Sequence, residues 1–276
     1  MTDVDDDLIL QHYRKQAEAH GLEPVSTMAD ETTRELEIAA ILTCLRHVVQ
    51  TLGAVSLLEV GCGNGYLLET IRAQYPDLTL SGTDYSPDMV ALASSRGIAG
   101  CEIREEDVRA LSLPSDTFDV VVTERCLINL LDADAQGKAV AELARVLRPG
   151  GFAILVEAFT DGLANLNRAR NELGLPDNEA PYHNLWFEKE RFLSYLEGRF
   201  RFVGGNADGS LPAQNFLSSH YFVSRVLYPS VTKREVLYNT EFVKFFRFLP
   251  PYGEYSPIQI FFLQKTVDSD SRPAEA

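Results

Sequence analysis

The apolar positions change period along the chain. From Glu31 onward they fall at Leu36, Ile38, Ala39, Ile41, Leu42, Leu45, Val48 and Val49, a helical spacing that predicts a helix over 31–52. After it come short apolar runs at 55–60, 78–83, 101–104, 118–123 and 152–157, which predict strands. The run Phe-Asp-Val-Val-Val-Thr at 118–123 is the kind buried on both faces. Between the strands lie helical stretches at 66–75, from Ser86-Pro87-Asp88 onward, and at 133–147. Ser86 is a good N-cap and Pro87 suits the first turn. Arg148-Pro149-Gly150-Gly151 stops the last helix. Strands alternating with helices predict an α/β fold, a doubly wound and mostly parallel sheet with helices on both faces.

Both flanks differ from this rhythm. Residues 8–21 read as a short helix stopped by Gly21, followed by a loop over 22–30. Beyond Glu157, residues 159–187 form a loop-rich insertion with a short helix at 164–173. A helix at 188–199 and a strand at 200–204 follow. Residues 205–257 are rich in aromatics, from Phe216 to Tyr255, and 258–264 is the last strand. The aromatics read as the core of a helical cap or as a stacking platform.

Charge narrows the partners. The 276 residues carry a net charge of -15, with 40 acidic side chains against 25 basic and no Lys/Arg-rich run. A nucleic acid would have to bind against that field, so a nucleic-acid substrate is disfavoured. No stretch reaches the roughly 18 apolar residues of a membrane helix. The acidic start, Met1 to Asp7, lacks the pattern of a signal peptide. Cys44, Cys62, Cys101 and Cys126 have no metal-site spacing, and His12, His20 and His47 sit on helices without carboxylate partners. The expectation is a cytoplasmic protein with reduced thiols and no metal, acting as a monomer or homodimer.

The chemistry gathers at 57–65. Glu59-Val-Gly61-Cys-Gly63-Asn-Gly65 closes a strand and opens a helix. Glycines there let the backbone turn sharply and approach a ligand, at the strand end where open α/β sheets bind nucleotides. The G-x-G-x-G spacing differs from the dinucleotide fingerprint, and no Lys-Ser/Thr follows as in a P-loop. A pyrophosphate would be repelled by Glu59, whereas a sulfonium nucleoside with an amino-acid tail tolerates it. Asp84, at the end of the second strand, can accept from two ribose hydroxyls; it could instead cap the Ser86 helix. Asp107, after the third strand, can accept from an adenine amine beside the Val108 backbone donor, or be a solvated loop acid.

The series LLEVGCGNG, GTDYSPDMV, EEDVRALSLPSDTFDVVV and LARVLRPGGFAILVE resembles the successive motifs of class I S-adenosylmethionine-dependent methyltransferases, over about 55–158. The resemblance implies their Rossmann-like seven-stranded sheet with a reversed last strand. It divides the chain into an N-terminal helical lid (1–52), a cofactor-binding core (53–158), and the remaining sheet with two substrate-cap insertions (159–265; insertions 159–187 and 205–257). A disordered tail (266–276) follows. It also implies that Glu59, Gly61, Gly63 and Gly65, with Cys62 and Asn64 between them, cradle the methionine part of S-adenosylmethionine. Asp84, Tyr85 and Met89 would border the nucleoside, Asp107 and Val108 the adenine, and Glu124 or Arg125 the methyl group. The segment from Thr123 to Leu130 resembles a motif of a bacterial subgroup associated with surface-polysaccharide or natural-product methylation.

Methyl transfer from a sulfonium needs alignment and exclusion of water, and a hydroxyl acceptor also needs a proton acceptor. His183 and His220 are the candidate bases; each could instead be a capping or core histidine. Tyr221, Arg225 and Tyr228 share a helical face that could meet a polyol or anion, or Arg225 could pack its stem on aromatics. From the lid, Tyr13, Thr27, Met28 and Arg34 could reach over the cofactor, which would leave as S-adenosylhomocysteine. The expected reaction is O- or N-methylation of a small polar molecule such as a sugar, phosphonate or natural-product intermediate. Methylation of RNA or protein, and a non-catalytic cofactor-binding regulator, are the alternatives.

Overall fold

A computed structural model describes residues 3–26, 28–53, 55–203, 210–234, 236 and 238–267, with side chains from Asp6 onward. Seven strands form one sheet: β1 (Ser56–Val60), β2 (Thr79–Asp84), β3 (Cys101–Glu105), β4 (Phe118–Glu124), β5 (Leu147–Ala158), β6 (Phe200–Phe202) and β7 (Ile258–Lys265). Their order is β3-β2-β1-β4-β5-β7-β6. The first five are parallel; β7 runs antiparallel to both β5 and β6. Chain order reverses between β1 and β4, which opens a crevice at the carboxyl ends of the strands. Val60, Asp84, Glu105 and Glu124 stand at that edge.

The helices are α1 (Asp3–His20), α2 (Glu31–Leu52), α3 (Tyr66–Gln74), α4 (Pro87–Ser95), α5 (Ala133–Val146), α6 (Thr160–Glu172), α7 (Lys189–Leu196), α8 (Ser218–Phe222), α9 (Tyr228–Thr232) and α10 (Glu241–Phe245). Ser86 caps α4 by accepting from the Met89 amide at 3.4 Å, with Pro87 in its first turn. The core is the sheet's own apolar run: Leu57, Leu58, Val120, Val121, Val122 and 152–156 are all but sealed from solvent. Each such side chain contributes about 1.5–3 kcal/mol through burial.

Four expectations change. The segment 1–52 is not a lid throughout. α2 buries Ile41, Cys44, Leu45 and Val48 in the core, and His47 meets the Phe152 and Phe262 rings edge-on. Only α1 and the turn after it remain as a cover. The fifth strand, expected from Phe152, begins at Leu147: Arg148-Pro149-Gly150-Gly151 stops the helix and forms a bulged start of β5. Phe118 pairs with Leu147 and Val120 with Phe152, so the extra residues bow out. Thr266, placed in the tail, is tied to the sheet: its amide donates to the Arg199 carbonyl at 2.9 Å. Residues 268–276 lie outside the described residues. Finally, α8 continues into α9 through a π-helical turn at Val223–Leu227, which breaks the assumed 3.6-residue period.

Candidate active site

Two cavities meet at the carboxyl edge of the sheet, with Tyr13, Arg125 and Asn129 lining both. The first lies over β1, β2 and β4. The glycine turn is pinned to β2, since the Gly61 and Cys62 amides both donate to the Thr83 carbonyl, at 2.8 and 2.9 Å. Gly61 has φ +73, and a Cβ there would stand 2.5 Å from Cys126 Sγ, so only glycine fits. Asp84 accepts from the Gly63 amide at 2.8 Å and the Ser86 amide at 2.9 Å. Because Ser86 is the helix cap, Asp84 braces the turn instead.

Five acids and three arginines line this cavity: Asp6, Glu59, Asp84, Asp107 and Glu124, with Arg34, Arg109 and Arg125. Glu59 is buried and its Oε2 has no hydrogen-bond partner. Burial, helped by the charges of Glu124 and Asp84, pushes its carboxyl well above the usual range. Below it, Arg125 pairs with Glu37 at 3.0 Å and Glu124 at 3.2 Å. Burial lifts Glu37 against the pull of Arg125, while Glu124, with Arg125 and Arg34 beside it, stays below its ordinary range despite burial. Arg125 holds φ +56, a strained conformation for a residue with a side chain. The loop after it hangs on Glu157, which accepts from Thr123 Oγ1 at 2.8 Å and from the Cys126, Leu127 and Ile128 amides. Burial nevertheless raises Glu157 to about 7.

The cover is held by ions. Both Asp6 oxygens accept from Arg109 at 3.0 Å, and Arg109 Nε donates to both Asp107 oxygens at 2.8 Å. The Arg109 guanidinium also lies 5.5 Å from the Tyr85 ring centroid. The hinge after α1 is tied to the glycine turn. Asn64 Nδ2 donates to the Gly21 and Glu23 carbonyls at 3.1 and 3.0 Å.

The second cavity, about 580 Å³, is walled by α1 and its hinge, the loop after β4, residues 181–186, Tyr221 and Ile258. His183 stacks on His12 with ring centroids 3.9 Å apart. Burial and the His12 charge push His183 down to about 4. At the junction Asn129 Nδ2 donates to the Tyr13 hydroxyl at 2.9 Å, and Asn184 Nδ2 donates to Asn129 Oδ1 at 2.9 Å.

The expected residues therefore separate. Tyr13, Arg34, Glu59, Gly61, Cys62, Gly63, Asn64, Asp84, Tyr85, Asp107, Val108, Glu124 and Arg125 all line the first cavity. Gly65 and Met89 stand outside that lining; Met89 is fully buried. Met28 lines the second cavity, and Thr27 lies outside the described residues. His183 and Tyr221 line the second cavity. His220, Arg225 and Tyr228 line neither. His220 Nε2 and Arg225 Nη2 both bond Asp30 Oδ2, at 2.9 and 3.1 Å. Arg225 is sandwiched between the Tyr221 and Tyr238 rings. Tyr228 packs on Phe242. Asp30 also caps α2 by accepting from the Thr33 amide at 3.0 Å, and burial is outweighed there by His220 and Arg225, which hold its carboxyl low. This trio is a buried brace behind Tyr221.

The site also includes residues that the sequence reading did not select: Asp6, Arg109, Glu37, Glu157, Asn184, His12 and Trp186. Glu157 carried a signal, being an acid that ends an apolar strand as Asp84 does. Asn184 and Trp186 flank His183 in one short run. Among the described residues, no group of three or more His, Cys, Asp or Glu could hold a metal ion, and no helix is long and apolar enough to cross a membrane.

Residues 57–151 match a family model described as a methyltransferase domain. Together with the strand order, this supports the resemblance of that segment to the class I S-adenosylmethionine-dependent methyltransferases. A malonyl-[acyl-carrier protein] O-methyltransferase of Paenibacillus sp. is 28% identical over 141 residues, 49% of this chain and 47% of that one. A demethylmenaquinone methyltransferase of Thermus thermophilus is 35% identical over 104 residues, 37% and 46% of the two chains. The chain spans about half the length of the curated relatives it matches. Over 95% of its length it shares a fold, at TM-score 0.54 and 15% identity, with 99% of the plantazolicin methyltransferase BpumL, solved in complex with a triazolic desmethylPZN analog and SAH.

The first cavity fits the family's cofactor. S-adenosylmethionine carries a sulfonium and an ammonium, and the cavity has an acidic excess and an unpartnered buried oxygen on Glu59. Glu59 would hold the amino-acid end, Asp84 the ribose, and Asp107 with Val108 the adenine. A carboxylate has about four acceptor positions, so Asp107 can serve both Arg109 and a base amine.

Proposed function

We propose that the protein transfers the methyl group of S-adenosylmethionine to a small polar acceptor held in the second cavity. The observation that carries this reading is the junction: an acid-lined cavity and a neutral one share Tyr13, Arg125 and Asn129. When bound, the cofactor supplies a methyl group already activated on a positively charged sulfur. The chain then has to align and to keep water out. α1 closes over the crevice, and the Asp6–Arg109–Asp107 chain fastens it. Asn129 holds the Tyr13 hydroxyl at the junction and leaves its hydrogen free to donate.

His183 is the proton acceptor of this reading. Its ring lines the second cavity. With its pKa near 4 it is neutral at physiological pH. Such a weak base suits a hydroxyl whose proton leaves late, when the oxygen has gained positive charge and become strongly acidic. A cavity between α1 and residues 181–186, on a chain of net charge -15, supports a small molecule over a nucleic acid. The test is calorimetric titration with S-adenosylhomocysteine, followed by transfer of labelled methyl to a small-molecule panel. Absence of S-adenosylhomocysteine binding by the folded protein contradicts the reading.

A further inference from the structure

Tyr13, Asn129 and Asn184 form a hydrogen-bonded chain at the junction of the two cavities, and its direction is fixed. The two hydrogens of Asn129 Nδ2 go to the Arg125 carbonyl and to the Tyr13 hydroxyl oxygen, each at 2.9 Å. Those of Asn184 Nδ2 go to Asn129 Oδ1 at 2.9 Å and to the His183 carbonyl at 3.1 Å. A carbonyl only accepts, so each amide must keep its nitrogen toward its carbonyl, and neither can flip. Polarity therefore runs one way, from Asn184 through Asn129 to the oxygen of Tyr13.

That oxygen accepts in the chain, so its hydrogen is left over. Among the described residues, Asn129 is the one hydrogen-bond partner of the Tyr13 hydroxyl. Burial, with the charge of Asp84, pushes the phenol above its ordinary range. The hydroxyl keeps its proton at neutral pH and is a donor, not a base. Accepting from Asn129 strengthens it as one. Tyr13 and Asn129 meet at their polar ends, and both line both cavities, so the spare hydrogen belongs to their common wall.

The methyl group and the acceptor atom are to meet at this wall. A sulfonium is cationic and accepts poorly, and a methyl group has no lone pair. The partner left for the Tyr13 hydrogen is the acceptor atom. That choice separates oxygen from nitrogen. A hydroxyl oxygen has one hydrogen and two lone pairs: the hydrogen serves His183, one lone pair serves Tyr13, and the other faces the methyl carbon. A neutral amine has a single lone pair, which can face Tyr13 or the methyl carbon but not both. An amine aligned for transfer leaves the Tyr13 donor unpaired, which costs free energy.

We propose that Tyr13 binds the acceptor atom, donating its hydroxyl hydrogen to one lone pair of an oxygen nucleophile, with Asn129 and Asn184 as the positioning residues that fix this direction. This rests on the methyltransferase reading above and selects O-methylation over N-methylation within it. The oxygen forms its bond to carbon with the other lone pair, the carbon–sulfur pair stays on sulfur, and the hydroxyl proton passes to His183 while Tyr13 keeps its own.

The full-length protein is first titrated with S-adenosylhomocysteine by calorimetry, which tests the cofactor reading by itself. Labelled S-adenosylmethionine is then offered with probes that carry both atoms in one molecule: 4-aminophenol, 4-aminobenzyl alcohol and glucosamine. The amines of the first two are uncharged at pH 7, so charge does not enter. Mass spectrometry of the products is expected to give O-methyl over N-methyl by about tenfold or more in at least one probe. Tyr13→Phe keeps the ring and removes the donor. It should slow transfer about tenfold and bring the ratio down to about one, with S-adenosylhomocysteine affinity within about threefold of native. Asn184→Asp keeps the shape and removes the first donor of the chain. It should lower the ratio as well, which a side chain serving only to pack would not do. Mainly N-methyl product, no O-methyl product from any probe, or a ratio unmoved in Tyr13→Phe overturns the assignment while leaving the cofactor reading standing.

Discussion

The two cavities are built on opposite electrostatic plans. The first has five acids and three arginines; the second, among the described residues, has no acid and one arginine already in ion pairs. Four of the first cavity's five acids stand at or beside adjacent strand ends, one to each, with Asp6 added from α1, so most of its chemistry follows from the topology of the sheet. The second is assembled from α1, its hinge, the loop after β4 and residues 181–186. A cationic cofactor suits the first by charge, and the second offers no comparable acidic lining. Where the two meet, Arg125 is strained and Tyr13 is held by Asn129.

That contrast can be broken from either side. The largest effect is expected from His183→Ala: transfer should slow by about 10²-fold or more, with S-adenosylhomocysteine affinity unchanged. Normal turnover would remove His183 from the chemistry. Its rate should also stay flat as pH falls from 8 to about 5, because a histidine held near 4 keeps its neutral form over that range. An acid limb near 6.5 that disappears in His183→Ala would show that the imidazole titrates normally. Gly61→Ala acts on the other cavity. A Cβ at φ +73 and 2.5 Å from Cys126 Sγ should cost about 2–3 kcal/mol, or roughly a hundredfold in cofactor affinity, measured by calorimetry with a parallel melting curve.

Arg109→Ala should have a smaller effect. It unfastens α1 from Asp107 and should weaken S-adenosylhomocysteine by about fivefold, chiefly through faster dissociation in stopped flow. The smallest signal is a proton. Burial and neighbouring carboxylates push the Glu59 carboxyl well above the usual range; an ammonium placed beside it favours the ionised form. Cofactor binding at neutral pH should release a fraction of a proton, read as a binding enthalpy that varies with the buffer's ionisation enthalpy. Glu59→Gln should abolish that variation.

The sheet and the first cavity were legible because period and position coincide there. Apolar runs mark the strands, and Glu59, Asp84, Asp107 and Glu124 stand at or just beyond their carboxyl ends. A parallel α/β sheet brings those ends to one edge. The second cavity had no such rule. His12, Ser26, Asn129, Trp186 and Tyr221 come from separated segments, and each is an ordinary core or surface residue in its own neighbourhood. The face assumed for Tyr221, Arg225 and Tyr228 rested on a 3.6-residue period that the π turn at Val223–Leu227 breaks. His220 is a histidine beside an aromatic in sequence, but its partner Asp30 lies 190 residues away, which only the fold reveals. Likewise α2 carries Arg34 and Glu37 on its buried stripe, because its N-terminal half faces the site and only its C-terminal half faces the apolar core.

The central claim, that the acid-lined cavity holds S-adenosylmethionine through Asp84, is tested most directly by calorimetry with S-adenosylhomocysteine on the native protein and on Asp84→Asn. Saturable one-to-one binding that Asp84→Asn weakens by about ten- to a hundredfold is the predicted result. No binding to the folded native protein, or equal affinity in the variant, would contradict it.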